Sequence, residues 1–150
     1  MKIATACDHA GFEYKEQLVR FLRSEGHEVK DFGTYSTVSM DYPDTVHPLA
    51  ISIEAGTVEM GIVLCGAGNG VAMTANKHQG VRCALCWQPG IAETARKHND
   101  ANVCAIPARL IAYQETEKIV ETFLKTAFDG GRHEKRVSKI PIFSLASDLC

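Results

Sequence analysis

Between Gly61 and Asn76 the chain reads GIVLCGAGNGVAMTAN. An apolar run, Ile62, Val63 and Leu64, ends at Cys65. Gly66, Gly68 and Gly70 then alternate with Ala67 and Asn69, and a helix-compatible segment follows from Val71 to Lys77. The order strand, glycine-rich turn, helix constrains this sequence more than any other feature. It sets consecutive backbone N–H groups at the positive end of a helix, where an anion is readily held. The turn is neither of the common nucleotide loops. No Lys-Ser or Lys-Thr follows it in P-loop register, and Gly70 comes after one spacer where the dinucleotide fingerprint needs two. What is left is a thiol set against a group of amide donors, which favour its thiolate. A buried, inert cysteine, with the glycines serving only the turn, is the competing reading of this stretch.

The elements around it alternate regularly. Lys2 to Cys7 reads as a strand. Phe12 to Ser24 reads as a helix, with Tyr14, Leu18, Phe21 and Leu22 on one face and Gly26 as its stop. His27 to Phe32 is a second strand, and a polar loop, 34–44, leads to a helix from Thr45 to Ala55 that requires Pro48 in its first turn. After the Cys65 strand and its helix come a strand from Val81 to Trp87, a helix from Pro89 to His98, a strand from Ala101 to Ile106 and a helix from Tyr113 to Thr126. Gly130 and Gly131 then break the chain before the basic stretch RHEKRVSK and an apolar tail. Strands alternating with helices predict a three-layer α/β/α domain around a doubly wound, five-stranded parallel sheet of Rossmann-like type. In such sheets ligands bind beyond the carboxyl ends of the strands. The domain is expected over 1–141, with 142–150 as a tail.

Totals narrow the partners. The 150 residues suit one domain, and a net charge of −2 gives no broad attraction to nucleic acid or to a membrane surface. The first residues, MKIATACDHAG, read as neither a signal peptide nor a membrane span. The six cysteines are therefore expected as thiols in a reducing cytoplasm. Cys83 and Cys86 form a C-x-x-C on a strand, where odd spacing sends the side chains to opposite faces and argues against a shared metal or redox role.

Asp8 and His9 stand at the end of the first strand, on the edge where Cys65 also ends, although Asp8 could simply cap the next helix. His98 lies just before the last strand, at the amino edge. If His98 and Cys65 act together, a second subunit must supply one of them, which predicts a dimer with composite sites. Arg132 and Arg136, four apart, project together on a helical turn and suit a phosphate, with Arg109 as a third candidate. A solvated basic surface is the alternative. A thiolate base, amide donors, a histidine and arginines are what proton abstraction beside a sugar carbonyl requires. That chemistry needs neither metal nor nucleotide cofactor.

The segments DHAGFEYKE, DFGTYS, DYPD, CGAGNG, NKHQGVR, HNDAN and GGRHEKRV together resemble the type B ribose-5-phosphate isomerases, whose relatives act on galactose 6-phosphate and allose 6-phosphate. The resemblance runs from Lys2 to about Pro141. It implies a homodimer, sometimes paired into tetramers, that interconverts ribose 5-phosphate and ribulose 5-phosphate without a cofactor in the pentose phosphate pathway. By motif position it implies Cys65 as the base and His98, from the partner, as the ring-opening residue. Asp8, His9 and Asn99 match sugar contacts, Gly66 to Gly70 an anion hole, and Arg109, Arg132 and Arg136 phosphate and substrate ligands. Some members carry a glutamate base where this chain has Val71. The position of Ala67 is usually Thr or Ser, so a side-chain donor is missing. A preference for another sugar phosphate, or binding without catalysis, are the competing functions. A thiol phosphatase would want a Cys-x-x-x-x-x-Arg loop after Cys65, and the chain lacks one.

Overall fold

A computed structural model describes residues 1–142 of the protein. Of the expected tail only Ile142 is among them; Cys150 lies outside the described residues. The chain runs β1 (Lys2–Cys7), α1 (Phe12–Ser24), β2 (Glu28–Asp31), α2 (Pro43–Glu54), β3 (Met60–Cys65), α3 (Asn69–Ala75), β4 (Cys83–Leu85), α4 (Pro89–Asn99), β5 (Val103–Pro107), α5 (Tyr113–Lys125) and α6 (Arg132–Val137). The five strands form one parallel sheet in the order β2-β1-β3-β5-β4. The chain enters at β1, steps outward to β2, then reverses to β3 on the other side. That reversal splits the loops after β1 and β3, so the crevice expected of a doubly wound sheet opens beside Cys7 and Cys65.

Each strand alternates its side chains between two apolar layers. Ile3, Cys7, Ile62, Leu64, Cys104 and Ile106 pack against α1, α4 and α5, where Leu18, Ala92 and Phe123 meet them. Ala4, Ala6, Val63, Cys65, Val103 and Ala105 pack against α2 and α3, chiefly Leu49, Ile53, Val71 and Ala75. Cys83 belongs to the second layer and Cys86 to the first, as odd spacing on a strand requires. Burial pushes the Cys83 thiol up, while a hydrogen bond with Cys86 and then burial raise Cys104.

Four details differ from the sequence-based expectation. Pro43, not Thr45, opens α2, so Pro48 falls inside the helix rather than in its first turn; the carbonyl it leaves without an N–H is that of exposed Asp44. β4 is only three residues long, although Cys86 still donates to Ala105 O at 2.9 Å. α3 starts at Asn69, two residues earlier than the apolar pattern suggests. The basic stretch forms a sixth helix with no buried residue.

The largest fully buried side chain is Lys15. Its ammonium meets Asp31 Oδ2 at 2.5 Å and Glu16 Oε1 at 3.0 Å. Burial pulls its pKa down, but the hydrogen bonds it donates to Asp31 and Glu16 outweigh that and hold it above the usual lysine value of 10.5. The pair therefore contributes its full stability below about pH 10.5 and loses it as pH rises through the higher folded value. Asp31→Asn removes the charge of the half-buried partner and leaves the buried ammonium poorly compensated. The expected cost is about 3–5 kcal/mol, read as a lower urea midpoint with an unchanged slope.

Candidate functional site

At the end of β3 the backbone turns sharply through the glycines. Gly68 stands at φ 75°, ψ −15° and caps α3. This conformation aims its N–H at Cys65 Sγ, 3.1 Å away. A side chain at Gly68 would meet Leu85 Cδ1 at 2.3 Å, so the position is closed by space as well as by φ. Cys65 is 6% exposed, while Ala67 and Asn69 are exposed on the rim. The turn is tied to β5 by Ala108 N donating to Cys65 O and Arg109 N donating to Gly66 O, at 2.9 and 3.0 Å. The Arg109 side chain lies along Gly66, its Nη1 3.5 Å from where a Cβ would sit.

From β1, the Asp8 N–H donates to Leu64 O at 3.2 Å. Asp8 Oδ1 accepts from the N–H groups of Ala10 and Gly11 at 2.8 and 3.1 Å. Its carboxylate therefore holds the turn that precedes α1, whose N-cap is Gly11 with no side-chain cap, and it stands beside the Cys65 strand as well. His9 Nδ1 accepts from Met40 N at 3.3 Å, which fastens the 34–42 loop to this edge. Tyr42, at the end of that loop, lies on Gly70, where an added Cβ would fall 2.4 Å from its ring. The sequence motif DYPD contained Tyr42, but nothing in its spacing announced a ring over the turn.

His98, Asn99, Arg132 and Arg136 gather elsewhere. α4 ends four residues before β5 begins, and Val103 of β5 pairs with Gly61 at the amino end of β3. Cys65 and His98 thus occupy opposite edges of one chain's sheet. His98 stacks on His133 with ring centroids 4.5 Å apart and planes at 9°. Together with Asn99, Arg136, Val137 and Ile140 the two rings line one hollow. Shielding from solvent pulls the His133 pKa below its ordinary value, and His98, Arg132 and Arg136 press it further down. His133 is the residue the sequence reading passed over; its only signal was its place between the two arginines. Arg109 is not with that pair within one chain, since it belongs to the Cys65 edge.

Three exposed apolar residues lie beside the glycine turn. Met73 is 67% exposed, Trp87 50% and Leu110 71%. Trp87 and Leu110 share a hollow with Ala67, Asn69 and Leu85, and Met73 shares the adjoining one with Asn69 and Leu85. Val71, by contrast, is fully buried under α2. Among the described residues, no helix is long and apolar enough to cross a membrane.

The family described as Ribose/Galactose Isomerase matches residues 3–140. Ribose-5-phosphate isomerase B of Escherichia coli is 40% identical over 139 residues, which is 93% of each chain. A crystal structure of a ribose 5-phosphate isomerase from Thermotoga maritima is 49% identical and superposes with a TM-score of 0.92, covering 93% of this chain and 97% of that one. The Mycoplasma genitalium ribose-5-phosphate isomerase B, solved with bound ribulose-5-phosphate, is 37% identical with a TM-score of 0.91 and 96% of each chain covered. The chain belongs to the ribose/galactose isomerase family.

Proposed function

We propose that the protein interconverts ribose 5-phosphate and ribulose 5-phosphate through an enediolate, in a homodimer whose active sites each draw on both subunits. The observation that carries this reading is the Gly68 N–H on Cys65 Sγ at 3.1 Å, in the turn that follows β3 where β3 pairs with β1. The Cys65 thiolate takes the proton from C2 of the open aldose. The electron pair of that C–H bond becomes the C1–C2 double bond, and the negative charge passes to the carbonyl oxygen. The amides of Gly66 to Gly70 stabilise that oxygen. A proton moves from the C2 hydroxyl to this oxygen, and the thiol returns its proton to C1 to give the ketose. Asp8, His9 and Asn99 hold sugar hydroxyls, and Arg109 lies against the turn. His98 of the partner subunit protonates the ring oxygen and opens the cyclic sugar. Arg132, Arg136 and His133 hold the phosphate, which supplies binding energy away from the reacting carbons.

The opposed half-sites support the dimer, because no single chain brings Cys65 and His98 together. The apolar collar of Met73, Trp87 and Leu110 around the turn supplies a surface for a second copy to cover. A base that must stay a thiol fits a reducing compartment such as the cytoplasm. The isomerase domain spans 1–141.

Cys65→Ala is expected to lower kcat by roughly 10²–10⁴ in a direct assay of ribose 5-phosphate turnover. Mixing it with inactive His98→Ala subunits is expected to restore activity, since such a heterodimer rebuilds one complete site. No recovery in this mixture, with both parents inactive and exchange of subunits verified, means the sites do not span subunits.

Ala67→Ser restores a hydroxyl beside the reacting carbons. One oxyanion donor is worth about 2.7–4 kcal/mol, so kcat on ribose 5-phosphate is expected to rise. If allose 6-phosphate or galactose 6-phosphate turns over faster on the unaltered protein, the substrate assignment moves to a six-carbon sugar.

His133 is expected to titrate by NMR with a midpoint below 6.5, the ordinary histidine value. Because its folded value is depressed, the neutral stack adds stability above pH 6.5 and that contribution is lost as pH falls through the folded value. Saturating inorganic phosphate is expected to move the midpoint upward, since an anion in the hollow favours the imidazolium. An unmoved midpoint places the phosphate elsewhere.

A further inference from the structure

Asp100 closes α4 in the left-handed region, at φ 46° and ψ 43°. Among the described residues it is the one non-glycine with positive φ. Aspartate tolerates this conformation better than most residues, yet tolerance alone does not hold it there. Its carboxylate is divided between two arginines. Arg96 Nη1 donates to Oδ1 at 2.9 Å, and Arg82 Nη2 donates to Oδ2 at 3.0 Å. Arg82 Nε also donates to the Asp100 carbonyl at 2.8 Å, so one guanidinium fork reads both the side chain and the backbone of the same residue.

Both arginines are anchored in turn. Arg96 is 7% exposed; its Nη1 donates to Ala101 O at 2.6 Å and its Nε to Thr126 O at 3.2 Å, at the end of α5. The Arg82 N–H donates to Asn102 Oδ1 at 2.8 Å, and Asn102 Nδ2 donates to Gly80 O at 2.8 Å. The last turn of α4 is therefore bolted to the connection between α3 and β4 and to the end of α5. The His98 stacking partner offers no comparable hold, because His133 rides on α6, which buries no residue.

We infer that Asp100 is the positioning residue of the His98–Asn99 half-site: gripped by Arg82 and Arg96, it fixes the left-handed turn that presents both residues to the hollow shared with His133 and Arg136. This rests on the reading of His98 given above. A residue needed only for its backbone is replaced silently by glycine or asparagine, since both enter the left-handed region readily. A residue needed for its carboxylate is not.

The test measures ribose 5-phosphate turnover, inhibition by inorganic phosphate and the His98 imidazole ¹⁵N signals in Asp100→Gly, Asp100→Asn and Arg82→Lys, with His98→Ala assayed for turnover alone. Both Asp100 variants are expected to lose about tenfold or more in kcat, the scale set by misplacing a reacting group. Inhibition by phosphate is expected to stay unchanged, because Arg132 and Arg136 sit on α6. The His98 signals are expected to shift while those of His9, on the opposite edge, stay in place. Arg82→Lys keeps the charge and loses the fork, so it is expected to fall in the same direction, and it decides the matter if the Asp100 variants do not fold. Wild-type kcat in Asp100→Gly beside an inactive His98→Ala overturns this inference alone, as does a kcat loss matched by an equal loss of phosphate inhibition. Full activity in His98→Ala overturns the half-site reading and this inference with it.

Discussion

The approach of the Gly68 amide to the Cys65 sulfur depends on a backbone conformation that only a residue without a side chain can take at that position. At φ 75° the N–H turns back toward the strand it has just left. Leu85 from β4 and the β5 backbone at Ile106 and Pro107 crowd the space where a Cβ would be. The turn is thus shaped from outside by the sheet as much as from inside by its own sequence. Shifting β5 by one residue would exchange its two faces and take away the Ala108 and Arg109 amides that hold the carbonyls of Cys65 and Gly66. The register in which Cys65 pairs with Pro107 is what keeps the thiol and its donor together.

The same parallel register keeps His98 away from Cys65 within one chain. Every strand ends on the Cys65 edge and every returning helix ends on the other, so a histidine at the end of α4 can meet Cys65 only across a subunit boundary. In the dimer proposed above, a two-fold arrangement would bring each copy's amino-edge hollow to the other's glycine turn and would cover Met73, Trp87 and Leu110 in the same act. An isologous contact builds two sites at once. Arg109, which stands apart from Arg132 and Arg136 within the chain, would rejoin them in that proposed arrangement.

Much of this was legible before any coordinates. Strand ends follow from apolar runs stopped by Asp8, Gly33 and Gly66. The opposite faces of Cys83 and Cys86 follow from the two-residue period. The separation of Cys65 from His98 follows from the parallel order of elements. What was not legible is tertiary in origin. Pro48 inside α2 orphans the carbonyl of an exposed residue, Asp44. The early start of α3 depends on Gly68 acting as its cap, and glycine is a weaker signal for a helix start than Ser or Asp. His133 and Tyr42 come to their places through contacts with His98 and Gly70, far from them in sequence, and no local pattern reports such meetings. α6 has no apolar face to betray it.

Tyr42 leads from the site back to the fold. The loop that carries it leaves β2 at Asp31, whose Oδ1 accepts from Gly33 N at 2.9 Å while its Oδ2 holds the buried Lys15 ammonium. Gly33 O accepts from Cys7 N, and Thr34 N donates to Cys7 O, so the loop is stitched to the end of β1 one residue before Asp8. At its far end, Thr45 Oγ1 lies 3.0 Å from that same Cys7 carbonyl and 3.1 Å from Tyr42 O. A lysine buried this deeply contributes little net stability compared with an apolar side chain of its size, because its desolvation offsets most of the attraction to Asp31. An apolar replacement would nevertheless leave Asp31 free to turn toward water and release Gly33. The ammonium is better understood as fixing the direction of one carboxylate. That carboxylate sets the course of the loop, and the loop lays Tyr42 on the glycine turn.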